Sequence, residues 1–409
     1  MPSDKILFLG PDAENPSNDA YSAYRREFVR NGALFLDHRG LYLRLGHRGA
    51  QDFIRRFVRD EGVATLVFAN DPLSFDFDLG FFVELSRGVY TAMLAGDTVY
   101  YFGTRDKYYA RAMDLVIVND SFETPAEFRA LGVDSLVFTT CCDREKYVKR
   151  EDAAKTIDVS FVGALSGREE RTAYLDFLAA NGVAVSAFGQ GTPGGRVTLD
   201  RMVEIFNQSR INLNFTDASV VSPLAGTAPP AGAKQIKGRI AEAAICGSFV
   251  LTESAPGVEN VLAPDKEMAV FGGKEDLLEK VRYYLAHERE REAVAAAGYR
   301  RAVVDYDVRL AIPRLIAELE RRRRAKTRSS AAVATDAAFE TNFGSYRLRC
   351  VLRFLKRFRF GLAWEELRLL ARTGRAAPRQ FRAIFIEEVV DPFPRFKRLL
   401  KRLLGRGGR

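Results

Sequence analysis

The run Lys237-Gly238-Arg239-Ile240-Ala241-Glu242-Ala243-Ala244-Ile245-Cys246-Gly247-Ser248-Phe249-Val250-Leu251-Thr252-Glu253 decides how this chain is read. It predicts a short helix that opens on two cations, stops at Gly247 and leads into a buried strand over 249–252. Basic side chains at a helix opening suit a diphosphate. A carboxylate one turn further in, Glu242, suits the hydroxyls of a ribose. Its neighbours are Ala and Ile, so it is expected to face protein rather than water. The segment therefore reads as a nucleotide-diphosphate site at a strand–helix junction.

The surrounding sequence repeats the same alternation. Strands are predicted at 159–162, 183–188 and 211–215, with helices at 168–180 and 199–208 between them. The helix 168–180 ends at Asn181-Gly182, a good C-cap. Residues 222–232, rich in Pro, Gly and Ala, read as a loop, and helices follow at 275–287, 289–299 and 311–324. The first part of the chain has its own series. Strands are predicted at 6–9, 33–36, 64–69, 98–102 and 115–118, and helices at 21–31, 51–61 and 82–90. Short apolar runs separated by helices argue for βαβ units and parallel sheets.

Two such halves, meeting near 145–157, predict two α/β domains across a cleft. The expected division is 1–150 for an acceptor domain and 151–324 for a nucleotide-sugar domain, with a linker at 325–342 and a basic extension at 343–409. Ligands of open α/β sheets sit beyond the carboxyl ends of the strands. That rule gathers Gly10, Asn70-Asp71, Gly163, Gly189 and 215–217 at one cleft. Asp97 precedes its strand in this reading, so the rule favours it less.

With 409 residues, 47% of them hydrophobic, the chain is long enough for two full cores. The formal charge of +9 is unevenly spread. Residues 341–409 hold 18 Lys and Arg against five Asp and Glu, a balance of +13, which leaves −4 on the rest. The basicity belongs to an appendage, which argues against a nucleic-acid-binding body. Cys141, Cys142, Cys246 and Cys350 have neither zinc spacing nor a disulfide pattern, as expected in a reducing cytoplasm. Residues 1–10 run directly into a strand, without the basic region and longer apolar core of a signal peptide. No uncharged apolar run approaches the roughly 18 residues of a membrane span.

In the extension, Leu352, Leu355, Phe358 and Leu362 fall near helical spacing, with Arg353, Lys356, Arg357 and Arg359 among them, and 396–404 repeats the design. Such a segment can lie on an anionic membrane surface. It can also pack as a helical appendage, or meet an acidic protein or nucleic acid. The expected location is cytoplasmic, peripheral at the inner face of the membrane where the extension binds it.

Over roughly residues 1–320, and most strongly from Asp158 to Tyr306, the chain resembles the CgeB-like, spore-maturation-protein-like glycosyltransferases, a group related to the GT-B enzymes of glycosyltransferase family 4. The resemblance is carried by Phe161-Val162-Gly163-Ala164-Leu165-Ser166, by the run 204–215, by 237–253, by Pro256-Gly257-Val258-Glu259 and by 277–284. Gly96-Asp97-Thr98 resembles a short acidic motif of that group. The resemblance implies a GT-B fold of two facing Rossmann-like domains. It also implies transfer of a sugar from a nucleoside-diphosphate sugar to an acceptor hydroxyl, in cell-surface glycan or glycoconjugate synthesis. No cofactor and no metal are expected. One departure stands out: family-4 relatives carry an acid eight positions before the ribose-binding glutamate, and this chain has Lys234 there.

On this resemblance the donor-binding residues are Arg168, Arg171, Lys237, Arg239, Glu242 and Glu259, with Arg239 also stabilising the leaving group. Asp97 is the candidate base for an inverting course. Each has an ordinary alternative: surface charge for Lys237 and Arg239, intrahelical pairing for Arg168 and Arg171 in Arg-Glu-Glu-Arg, a helix-opening acid for Glu259 and a turn for Asp97. Asp71 and His38 are weaker candidates. The glycine run 189–195 lacks the Lys-Ser/Thr of a P-loop and reads as a turn. Two rival functions remain, another GT-B-type enzyme such as a nucleotide-sugar epimerase, and a non-catalytic adaptor docking through the basic extension.

Overall fold

The computed structural model describes residues 5–12, 20–69, 74–218, 232–326, 332–373, 375 and 377–390. Asp71, most of the 222–232 loop and the 396–404 stretch lie outside the described residues.

Eleven strands form two parallel sheets. The first holds β1 (Lys5–Gly10), β2 (Leu34–Asp37), β3 (Val63–Ala69), β4 (Tyr90–Ala95), β5 (Leu115–Val118) and β6 (Asp134–Val137), in the order β2-β1-β3-β4-β5-β6. The second holds β7 (Ile157–Val162), β8 (Ser186–Phe188), β9 (Ser209–Asn214), β10 (Val250–Glu253) and β11 (Ala269–Phe271), in the order β11-β10-β9-β7-β8. Their near-continuous apolar runs, such as Leu7-Phe8-Leu9 and Leu115–Val118, are buried, as helices on both faces require.

Two predicted elements are different. The segment 82–90 splits into a helix, Leu79–Leu85, and the start of β4. The segment 98–102 is not a strand: Thr98–Tyr101 is helical and a π turn, Phe102–Asp106, follows. Its aromatic and β-branched residues favour a strand in isolation. The carboxylate of Asp120 overrides that preference by accepting from both the Thr98 amide and the Thr98 hydroxyl, each at 2.9 Å. Asp97 therefore follows β4 and stands at the carboxyl edge of the sheet.

The chain passes from the first sheet to the second over 138–156 and returns at 305–308. The two passages are tied by the Cys142 amide to the Tyr306 carbonyl (2.8 Å) and the Val308 amide to the Cys142 carbonyl (3.0 Å). The helix Val308–Arg324, assigned by sequence to the second domain, then packs on the first domain's helix Ala20–Arg30. Arg322 pairs with Asp134 of β6. Beside the crossing lies a cavity of about 470 Å³, whose lining includes Phe122, Leu136, Phe138, Tyr306, Ala311 and Leu315.

The extension also departs from expectation. Helix Ala337–Lys356 begins inside the predicted linker, where Asp336 caps it by accepting from the Ala338 and Phe339 amides at 2.9 and 3.1 Å. Phe339, Phe343, Tyr346, Cys350, Val351 and Phe354 form its buried face, in one core with Leu7, Phe75 and Phe82 of the first domain. The inward stripe is thus rotated from the Leu352/Leu355 stripe read in sequence. The guanidinium of Arg347 pairs with Glu366 of the next helix, Phe360–Thr373, at 3.1 Å, with both side chains fully buried. Glu388 collects Arg349 (3.0 Å), Arg353 (2.7 Å) and Lys356 (2.8 Å). Residues 337–390 are a packed part of the first domain. No described helix is long and apolar enough to cross a membrane.

Candidate active site

The carboxyl edges of the two sheets meet through a few polar side chains. Asp97 and Asp120 come from the turns after β4 and β5. Gln235 comes from the second domain and lies between them. Its amide nitrogen donates to Asp97 Oδ1 and to Asp120 Oδ2, both at 2.7 Å. Its amide oxygen accepts from Lys237. The Ile236 amide donates to the Asp120 carbonyl at 2.8 Å. Arg168, which precedes the helix Glu169–Ala180, reaches across to the Tyr100 hydroxyl at 3.1 Å.

Asp97 holds a left-handed backbone, with φ +56. An aspartate tolerates that region better than most residues. Burial, and then the neighbouring charge of Asp97, push the Asp120 carboxyl up to about 6. The same site crowds cations. Burial, with Arg171 and Arg168 adding to it, brings Lys237 down to about 8 even though Asp97 opposes the shift. Burial and then Arg168 bring Arg171 down to about 10. The Arg171 guanidinium rests on two neutral acceptors, the carbonyls of Ala164 (3.1 Å) and Asp217 (3.4 Å). Three cations thus stand in each other's field at the mouth of the second sheet.

Arg239 sits differently. It pairs with Glu242 three residues on and donates to the Val162 carbonyl at 3.1 Å. Burial works most strongly against its charge, but Glu242, Tyr147 and Cys142 together leave its pKa raised. Glu242 also accepts from the Tyr147 hydroxyl at 3.3 Å, and its side chain is buried. Glu242 therefore faces protein, as its Ala and Ile neighbours suggested, with Arg239 as its partner. Lys234, at the position where the family acid was expected, pairs with Glu253. The Glu253 carboxylate also fixes the turn after β9 through the Thr216 and Asp217 amides at 2.8 and 3.1 Å.

The candidates separate accordingly. Asp97, Arg168, Arg171 and Lys237 are brought together in the cleft. Arg239 and Glu242 form a buried pair beside them. Glu259 is exposed on the short turn Val258–Asn260 and takes no part in these contacts. His38 is fully buried, 3.3 Å from Asp76 under the extension helix. The glycine run is a turn: Gly189 holds φ +135, and a side chain there would meet the Gly163 carbonyl at 2.1 Å.

Sequence reasoning missed Asp120 and Gln235. Asp120 had a usable signal, since it follows the strand Leu115–Val118 as closely as Asp97 follows β4. Gln235 had none, because only the meeting of the domains gives it a role.

The family model described as glycosyl transferase-like matches residues 167–317. No curated protein matches the chain in sequence. Among solved structures, the chain is similar to the Anabaena protein HepE in complex with UDP, with 14% identity over 78% of this chain and 100% of that one, at a TM-score of 0.56. It is similar to sucrose-phosphate synthase from Thermosynechococcus elongatus, with 11% identity over 79% and 100% of the two chains, at a TM-score of 0.55. A glycosyltransferase involved in avilamycin A biosynthesis matches at 13% identity over 79% and 98%, at a TM-score of 0.51. The fold is GT-B. In a GT-B arrangement Asp97, Asp120, Arg168, Arg171, Gln235 and Lys237 lie at the inter-domain cleft, where the carboxyl edges of both sheets face each other.

Proposed function

We propose that the protein is a glycosyltransferase that moves a sugar from a nucleoside-diphosphate sugar to an acceptor hydroxyl. The observation that carries this reading is the cation crowding at Lys237, Arg171 and Arg168. Cations gathered and partly buried in a cleft gain most from a dianionic ligand, and a diphosphate supplies it. HepE, solved with UDP, UDP-glucose, and UDP together with glucose, makes a uridine nucleotide the first donor to try.

In the reaction, the bond from the anomeric carbon to the β-phosphate oxygen breaks and a bond to the acceptor oxygen forms. Charge develops on the leaving diphosphate, and Lys237, Arg168 and Arg171 stabilise it there. Arg239 holds Glu242 in place for the ribose. On an inverting course Asp97 takes the acceptor proton, and Gln235 orients its carboxylate. On a retaining course the departing phosphate oxygen takes that proton. No metal or cofactor is assigned a step. The CgeB-like resemblance favours a cytoplasmic enzyme of cell-surface glycan or glycoconjugate synthesis.

Calorimetric titration with UDP, GDP, ADP and TDP tests the donor site. One diphosphate should bind the wild type and lose affinity in Lys237→Ala and Arg168→Ala. Failure of all four to bind removes the support for sugar transfer.

A further inference from the structure

At the turn between the extension's first two helices, seven consecutive residues from Leu355 to Gly361 are all exposed. Phe358 is 80% exposed, Phe360 64% and Trp364, one turn into the next helix, 57%. The Phe358 and Phe360 rings lie 6.4 Å apart. Lys356, Arg357 and Arg359 alternate with them, and Arg368 stacks over Trp364 at 5.5 Å. The nearby acids are already engaged: Glu366 is buried against Arg347, and Glu365 accepts from the Arg48 amide at 3.1 Å. The exposed charge at this tip is positive.

Phe358 also occupies a place where a helix end favours glycine. Its φ is +56, its amide donates to the Leu355 carbonyl, and the next amide, of Arg359, donates to the Phe354 carbonyl at 2.9 Å. A bulky residue in the left-handed region is strained. Folding alone would be served better by glycine, so the ring is retained against local preference and points to a use at the surface.

The end of the described chain lies at the same place. Glu388 binds Lys356 at 2.8 Å, so the last described residues, up to Val390, lie beside the tip. From there the sequence continues over 391–409 with seven Lys and Arg against one Asp. Aromatic rings at an interface, a Trp among them, with cations around them are suited to the headgroup region of a bilayer.

We propose that this tip, Phe358, Phe360 and Trp364 with Arg357, Arg359 and Arg368, docks the protein on an anionic lipid surface. The rings enter the headgroup boundary, and the cations of the tip attract anionic lipid. The buried face of the helix Ala337–Lys356 is used in packing on the first domain, so the docking rings are those of this turn. Because that turn belongs to the first domain, that domain meets the bilayer. The inference stands independently of sugar transfer.

Trp364 is the chain's single tryptophan, so its fluorescence reports the tip directly. The full chain is mixed with vesicles of phosphatidylcholine alone or with phosphatidylglycerol added. Anionic vesicles should shift Trp364 emission to the blue and sediment the protein, with weaker binding at high salt. Phosphatidylcholine alone should do neither. Arg357→Gln with Arg359→Gln should lower partition roughly fivefold per charge. Phe358→Gly should lower it while leaving thermal stability equal or higher, which a merely structural phenylalanine would not do. Nucleotide binding should be unchanged in all these variants. An unshifted emission with anionic vesicles overturns the proposal. So does binding to a DNA duplex with no response to vesicles, which would assign the tip to nucleic acid.

Discussion

The cleft and the extension both bury arginine and lysine, and they do so in opposite ways. In the extension each buried cation has a carboxylate. Burial alone would lower the pKa of Arg347 and Arg353, yet nearby tyrosines and carboxylates, with Tyr42 and Glu366 on Arg347 and Tyr346 and Glu388 on Arg353, leave both raised. In the cleft the shift reverses, and Lys237 and Arg171 are lowered by burial and by each other's neighbours. The same residue types thus serve as structure where charge is matched, and where it is crowded they form the anion site proposed above.

The largest expected effect comes from breaking the matched side. Arg347→Ala strands the Glu366 carboxylate in the core, and should cost about 3–5 kcal/mol of stability in denaturant unfolding. If that variant unfolds like wild type, the extension is not integral to the first domain. Lys237→Ala should do the reverse. Stability should hold, while diphosphate affinity falls by about 1.5–3 kcal/mol in calorimetry, the range of a hydrogen bond to a charged group. A large loss of stability there would make Lys237 a structural ion.

Two pH experiments sharpen the contrast. Asp120, raised to about 6, holds its proton in the folded state over a range where the unfolded chain has released it. Its contribution is present at low pH and is lost as pH rises through about 6. Between pH 4.5 and 7.5, Asp120→Asn should therefore gain on wild type by on the order of 2 kcal/mol in unfolding free energy. A constant difference across that range would leave Asp120 without a raised pKa. Burial brings Lys237 down to about 8. Diphosphate binding should weaken as pH rises through about 8, and should take up a fraction of a proton, seen as a binding enthalpy that changes with buffer. The smallest effect is expected at the exposed tip, where Phe360→Ser should alter stability by no more than about 0.5 kcal/mol.

Much of the second half was legible in sequence. Buried strands such as 159–162 and 211–215 are continuous apolar runs, and Gly247 marks the end of the helix that carries Glu242. That Arg239 holds Glu242 was not legible, because a sequence shows spacing and not which neighbour wins a side chain. Asp97 was misplaced because 98–102 has strand-forming residues, and the Asp120 carboxylate that makes this segment helical is distant in sequence. The extension was misread for a related reason. Arg347, Arg349 and Arg353 look like a solvated face until Glu366 and Glu388 are brought to them. The acid at Glu253 that meets Lys234 was equally out of view.

The paired passages between the domains behave like an axle. Two parallel backbone hydrogen bonds at Cys142 fix the strands side by side. A rotation of the domains about that line would keep both bonds, whereas a slide along it would break them. A rotation about that line would draw on the cavity of about 470 Å³ next to Tyr306. Filling it with Ala311→Leu should slow diphosphate entry and exit together in stopped-flow traces while leaving the equilibrium constant unchanged. A change in affinity alone would place the moving part elsewhere.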